Sequence, residues 1–165
     1  MPSRSGSGRK ESAGERADRN LSELLQELRV ALPGVQVLFA FLLTVPFTQN
    51  FDRLTEAQQT LYFGVLLCTA VSTALLIAPT AHHRLLFRMQ DKEHLVVISN
   101  RYAIAGIGVL ALAICGAVFL ISDLLFGMAT TIISSAGIAL VFLIVWYGLP
   151  LYRRGQLGQR DLTDG

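Results

Sequence analysis

Three histidines, His82, His83 and His94, fall close together with Asp91 and Glu93 just ahead of the last of them. Imidazole beside carboxylate is a donor set for metal ions and for proton transfer near neutral pH. The spacing does not assemble such a site. Adjacent histidines point to different faces of a helix, and neither a His-Glu-x-x-His pattern nor a Cys/His cluster occurs. The stretch reads as a basic, headgroup-facing connection, with pH sensing or contact with anionic lipid as its functional alternative. Cys68 and Cys115 both sit in apolar runs, so core packing is their ordinary role, and no neighbouring charge would lower a thiol pKa. Asp52 and Glu56, four residues apart, are ordinary solvated carboxylates. No nucleophile–base pair, glycine-rich phosphate loop or intramembrane carboxylate pair can be found. No catalytic residue, metal site or cofactor is therefore expected, and a membrane enzyme working through the His82–His94 stretch is the weakest reading.

The elements that would have to position any chemistry are set by composition. Of 165 residues, 52% are apolar and only 16% are charged, which is far from a soluble globular chain. The net charge of +2, without a basic stretch interleaved with aromatics, sets nucleic-acid binding aside. A spanning helix needs about 20 mostly apolar residues. Four segments meet that length: Val30 to Phe47, Thr60 to Pro79, Tyr102 to Ile121 and Phe126 to Leu149, none with an Asp, Glu, Lys, Arg or His. Amphipathic helices of a soluble bundle would carry a charged stripe; these do not.

All but one of the 14 Lys and Arg residues fall in the N-terminal segment, between the second and third spans, or in the C-terminal tail, and Arg53 alone lies on the opposite side. Basic residues are retained in the cytoplasm during insertion, so both termini are expected there. Tyr62, Tyr102, Trp146, Tyr147 and Tyr152 fall at span ends, where amphipathic rings meet headgroups. The prolines also mark boundaries: Pro33 is expected to open the first span, Pro46 to sit in its last turn, and Pro79 and Pro150 to close the second and fourth. The spans accordingly read as unbroken helices.

Met1 to Arg19 has the composition of a disordered tail, and it lacks the apolar core of a signal peptide. Asn20 followed by Glu23 has capping-box spacing, and Leu21, Leu24, Leu25, Leu28 and Leu32 line one face of a short amphipathic helix, expected along the membrane surface or against the bundle. Leu85, Leu86 and Met89 suggest a second short surface helix, and Leu95 to Ile98 an inward extension of the third span. The expected fold is an all-α integral membrane four-helix bundle: a tail over 1–19, a four-span domain over 20–150, and a second cytoplasmic tail over 151–165.

Within the spans, the polar groups are Gln36, Thr44, Thr69, Ser72, Thr73, Thr130, Thr131, Ser134 and Ser135. Hydroxyls bond back to their own helix, so a structural role outweighs substrate binding. A glutamine amide is harder to satisfy that way, and Gln36, about two turns below the inner surface, should seek a partner helix. Small residues mark packing faces: Gly127, Thr131, Ser135 and Ala139 at four-residue intervals on the fourth span, and Gly106, Val109, Ala113 and Gly116 on the third. The two faces are expected either to meet within the hairpin or to serve a neighbouring subunit.

The runs ELRVALPGVQVLFAFLLTVPF (Glu27 to Phe47), LLIAPTAHHRLLFR (Leu75 to Arg88) and SNRYAIAGIG (from Ser99) resemble a family of small bacterial four-helix membrane proteins known only as a domain of unknown function, over about residues 20–150. The resemblance implies a bacterial plasma membrane and assigns no catalytic or binding residue. The expected function is that of a non-catalytic interaction or structural component in the bilayer, partnered by lipid and by itself or another membrane protein. The alternative is an oligomeric channel or transporter for a small solute.

Overall fold

The computed structural model describes residues 13–49, 51–86 and 92–148. Four long helices make up almost all of it: α1 (Ala13–Thr44), α2 (Glu56–Leu86), α3 (Lys92–Leu125) and α4 (Met128–Phe142), the last running into a π-helical turn over Leu143–Gly148. No strand occurs among the described residues. Four stretches are long and apolar enough to cross a membrane: Gly14–Phe47, Glu56–His82, Leu95–Leu125 and Met128–Trp146. The chain is a four-helix membrane protein.

The first helix departs from expectation. Residues 13–19, read as tail, are helical, and no break separates an amphipathic helix from the first span. Asn20 lies inside the helix rather than at its start, and Glu23 pairs with Arg19 at 3.8 Å instead of closing a capping box. The reason is an uninterrupted stripe: Leu21, Leu28, Val35 and Leu42 recur every seven residues and all four are buried. A period of seven keeps one face on its neighbours over many turns, so the leucines pack on the bundle and do not lie along a membrane surface. Pro33 therefore sits within α1, on its exposed side. The bond it cannot donate is the one to the Arg29 carbonyl, at the edge of the apolar run where water is available.

Pro79 is likewise inside α2 and fully buried, and the helix continues to Leu86. Leu85 and Leu86 end α2 rather than forming a separate surface helix, while Met89 lies outside the described residues. Past the proline, the His82 ring stacks on Tyr102 of α3 at 5.3 Å and its Nδ1–H donates to the Ala78 carbonyl at 2.8 Å, which holds the next turn against its neighbour. The extension of the third span through Leu95 to Ile98 is present as the start of α3. With 32, 31 and 34 residues, α1, α2 and α3 each exceed the ~20 that ~30 Å of hydrocarbon requires, and α1 and α3 carry the excess at the basic end.

Pro46 falls where expected, in a 3₁₀ turn over Val45–Phe47 that ends the first span. Because Pro46 has no N–H, the Leu42 carbonyl loses its helical donor; the buried Tyr62 hydroxyl of α2 donates to it instead. The α3–α4 connection is only Phe126 and Gly127, and Asp123 lies in the last turn of α3 rather than in the loop. The fourth span is not an unbroken α-helix: Leu143–Gly148 widen to π geometry, with Trp146 against Phe142 at 4.6 Å. Pro150 lies outside the described residues.

The helices do not share the interior equally. Buried positions on α2 (Tyr62, Val65, Thr69, Ser72, Leu76, Pro79) and on α3 (Ser99, Ala103, Gly106, Ala113, Leu120) follow the alternating three-and-four spacing of an antiparallel coiled-coil seam. α1 lies across both, while α4 touches only α3 among the helices.

Candidate functional site

Most intramembrane hydroxyls have a visible task. Thr69, Thr73 and Thr44 donate to the carbonyls of Val65, Thr69 and Phe41 at 2.7–2.8 Å, within their own helix. Ser72, fully buried, reaches across the seam to the Gly106 carbonyl of α3 at 2.8 Å. Thr131, also fully buried, bonds the Gly127 carbonyl at 3.3 Å. Ser134 donates to the Thr131 carbonyl at 3.2 Å, which leaves its oxygen to accept from Ser122 of α3 at 2.9 Å. Thr130 is exposed in the first turn of α4. Among the described residues, two buried hydroxyls, those of Ser99 and Ser135, have no hydrogen-bond partner.

The small-residue faces are used, but not as one pair. On α3 the glycines meet α2: a Cβ on Gly106 would lie 2.9 Å from Leu76 and 3.2 Å from Leu75, and one on Gly116 would lie 2.6 Å from Val65. Both are closer than a methyl group tolerates, so glycine is what lets α2 approach. Ala113, between them on this seam, is buried against Tyr62 and Val65. The α4 face meets α3 elsewhere, through Thr131 and Ser134, with Ala139 half-buried. Gly127 is the extended residue before α4 rather than part of its face, and its carbonyl serves Thr131.

Gln36 is placed apart from all of these. Its neighbour Val35 is buried at 1% exposure, and Gln36 faces outward from α1 with no hydrogen bond to any described residue. A family model described as a family of unknown function, DUF6328, matches residues 10–150. The chain belongs to that family. No curated protein and no solved structure matches it. The DUF6328 match reaches ten residues further toward the N-terminus than the resemblance read from sequence, into the helical stretch that precedes the first span.

At the basic end, His82 and His83 lie in the last turns of α2 and His94 in the first turn of α3, and the His82 ring is engaged by Tyr102 and Ala78. The side chains of His83, His94, Asp91 and Glu93 lie outside the described residues. Cys68 and Cys115 are half-buried free thiols. At the opposite end a capping box that sequence reasoning missed was legible as Thr55-Glu-Ala-Gln58: the Thr55 N–H donates to Gln58 Oε1 at 3.0 Å and the Gln58 N–H to Thr55 Oγ1 at 3.3 Å. The same Gln58 then donates from Nε2 to Asp123 at 2.7 Å, tying the start of α2 to the end of α3.

Proposed function

We propose that this chain is a non-catalytic component of a bacterial plasma membrane, with both termini in the cytoplasm, that works by associating laterally with other membrane-embedded helices. The contrast between the hydroxyls and Gln36 carries this reading. Six of the nine polar groups within the spans donate to carbonyls of the chain itself, five of them within their own helix and Ser72 across to α3, so their hydrogen-bonding needs are met internally. Gln36 alone among these polar groups places an amide on an exposed face of α1, about two turns inside the apolar run. The cytoplasmic placement of both termini is supported by the gathering of Lys and Arg at one end, since basic residues are retained in the cytoplasm during insertion.

Crosslinking in native membranes, followed by extraction in lipid particles, tests the proposal. A second copy or another membrane protein should be retained; a monomer with no companion would contradict it. One observation favours the channel reading instead: the Ser135 hydroxyl is buried without a partner. Solute or ion flux into liposomes above the empty-vesicle rate would promote that reading over the first.

A further inference from the structure

The geometry points to a second copy of this chain as the occupant of the outer face of α1, in a two-fold pair whose centre is a Gln36–Gln36 amide contact; the inference rests on the lateral association proposed above. Gln36 lies six residues beyond Val30, where the apolar run begins, so its backbone is about 9 Å along the helix inside it. A glutamine side chain does not span that distance to reach headgroup water. An unmet amide in hydrocarbon is costly, and every described neighbour leaves this one unmet.

The surface around it suits a close helix partner. Ala40 follows Gln36 by one turn and Thr44 follows by two, both exposed, and the Thr44 hydroxyl is already turned back to the Phe41 carbonyl. That leaves an amide in a shallow track, flanked by Val37 and Leu43 at 56% and 46% exposure. Small residues at four-residue spacing allow backbones to approach. The choice of occupant follows from the chemistry of the amide. A carboxamide carries both a donor and an acceptor, so two copies related by a two-fold axis satisfy each other with the same residue, as an isologous interface requires. The α2–α3 seam does not compete for this face, since the buried stripe Leu21, Leu28, Val35 and Leu42 lies about 100° around α1 from Gln36.

The test uses the full chain in native membranes, with Cys68 and Cys115 replaced by alanine and one new cysteine at a time. Ala40→Cys should give a disulfide-linked dimer on mild oxidation, whereas Gly34→Cys and Phe41→Cys, on the far flank of the helix about 140–160° around from Gln36, should not. In the Ala40→Cys background, Gln36→Leu should weaken self-association roughly three- to thirtyfold, and Gln36→Asn should retain most of it. Undiminished crosslinking in Gln36→Leu would overturn the amide contact. Dimers formed only through flank positions or through α4, or retention of a different membrane protein without a dimer, would overturn this interface and leave lateral association standing. No association of any kind would overturn both.

Discussion

Along the side of α3 that meets α2, Gly106 and Gly116 leave no room for a methyl group and Ser72 reaches across to a carbonyl. Along the side that meets α4, Ser122 of α3 shares a hydrogen bond with Ser134, and Gly137 lies on the outer face of α4 with open space where a side chain would be. The spans differ accordingly: the α2 span is 28% buried and the α4 span 6%. Small residues therefore permit close approach without causing it. Closeness on the α2 side comes from branched side chains, Leu76 and Val65, that enter the notches the glycines leave. On the α4 side no such ridge meets a glycine, and the hydrogen bond between the two helices is the one joining Ser122 and Ser134.

Substitutions on the two sides break this comparison in a definite order. Gly116→Val should have the largest effect, since branched atoms would be forced against Val65; overpacking of this kind costs about 1–3 kcal/mol, and reversible unfolding in bicelles should show that loss. Ser72→Ala should cost about 0.5–1.5 kcal/mol in the same assay, for one buried bond across the seam. Ser122→Ala should cost about 0.6 kcal/mol and act locally: faster hydrogen exchange in α4, with α2 and α3 unchanged. Gly137→Ala should lie within about 0.5 kcal/mol of the parent chain. A Ser122→Ala loss as large as that of Gly116→Val would mean that the α4 side is as tight as the α2 side, and the contrast would disappear.

The four helices were legible because lipid imposes length and apolarity on any span. Helix ends were less so, and the prolines explain why. Proline position alone predicts helix ends at Pro33 and Pro79, yet Pro33 orphans a carbonyl near the water boundary and Pro79 sits on a packing stripe that continues past it. The seven-residue recurrence of Leu21, Leu28, Val35 and Leu42 was the better guide to where α1 runs. Gly106, Ala113 and Gly116 were recognisable as packing residues, but spacing defines a face and not the neighbour that fills it. Gln36 stood out as an unusual group for its surroundings, and its outward direction follows once Val35 is known to face inward.

The buried hydroxyls sit among packed helices and are expected to be dry rather than to line a watery path. Ser72→Cys and Thr131→Cys, near-isosteric replacements at fully buried positions, can be introduced singly into a chain with Cys68 and Cys115 changed to alanine, alongside Thr48→Cys in an exposed turn. In sealed vesicles, a charged, water-soluble thiol reagent applied to each side in turn should modify Thr48→Cys from one side only and leave the other two unreacted from both. Modification of Ser72→Cys or Thr131→Cys as fast as Thr48→Cys would place water among the helices and contradict the account.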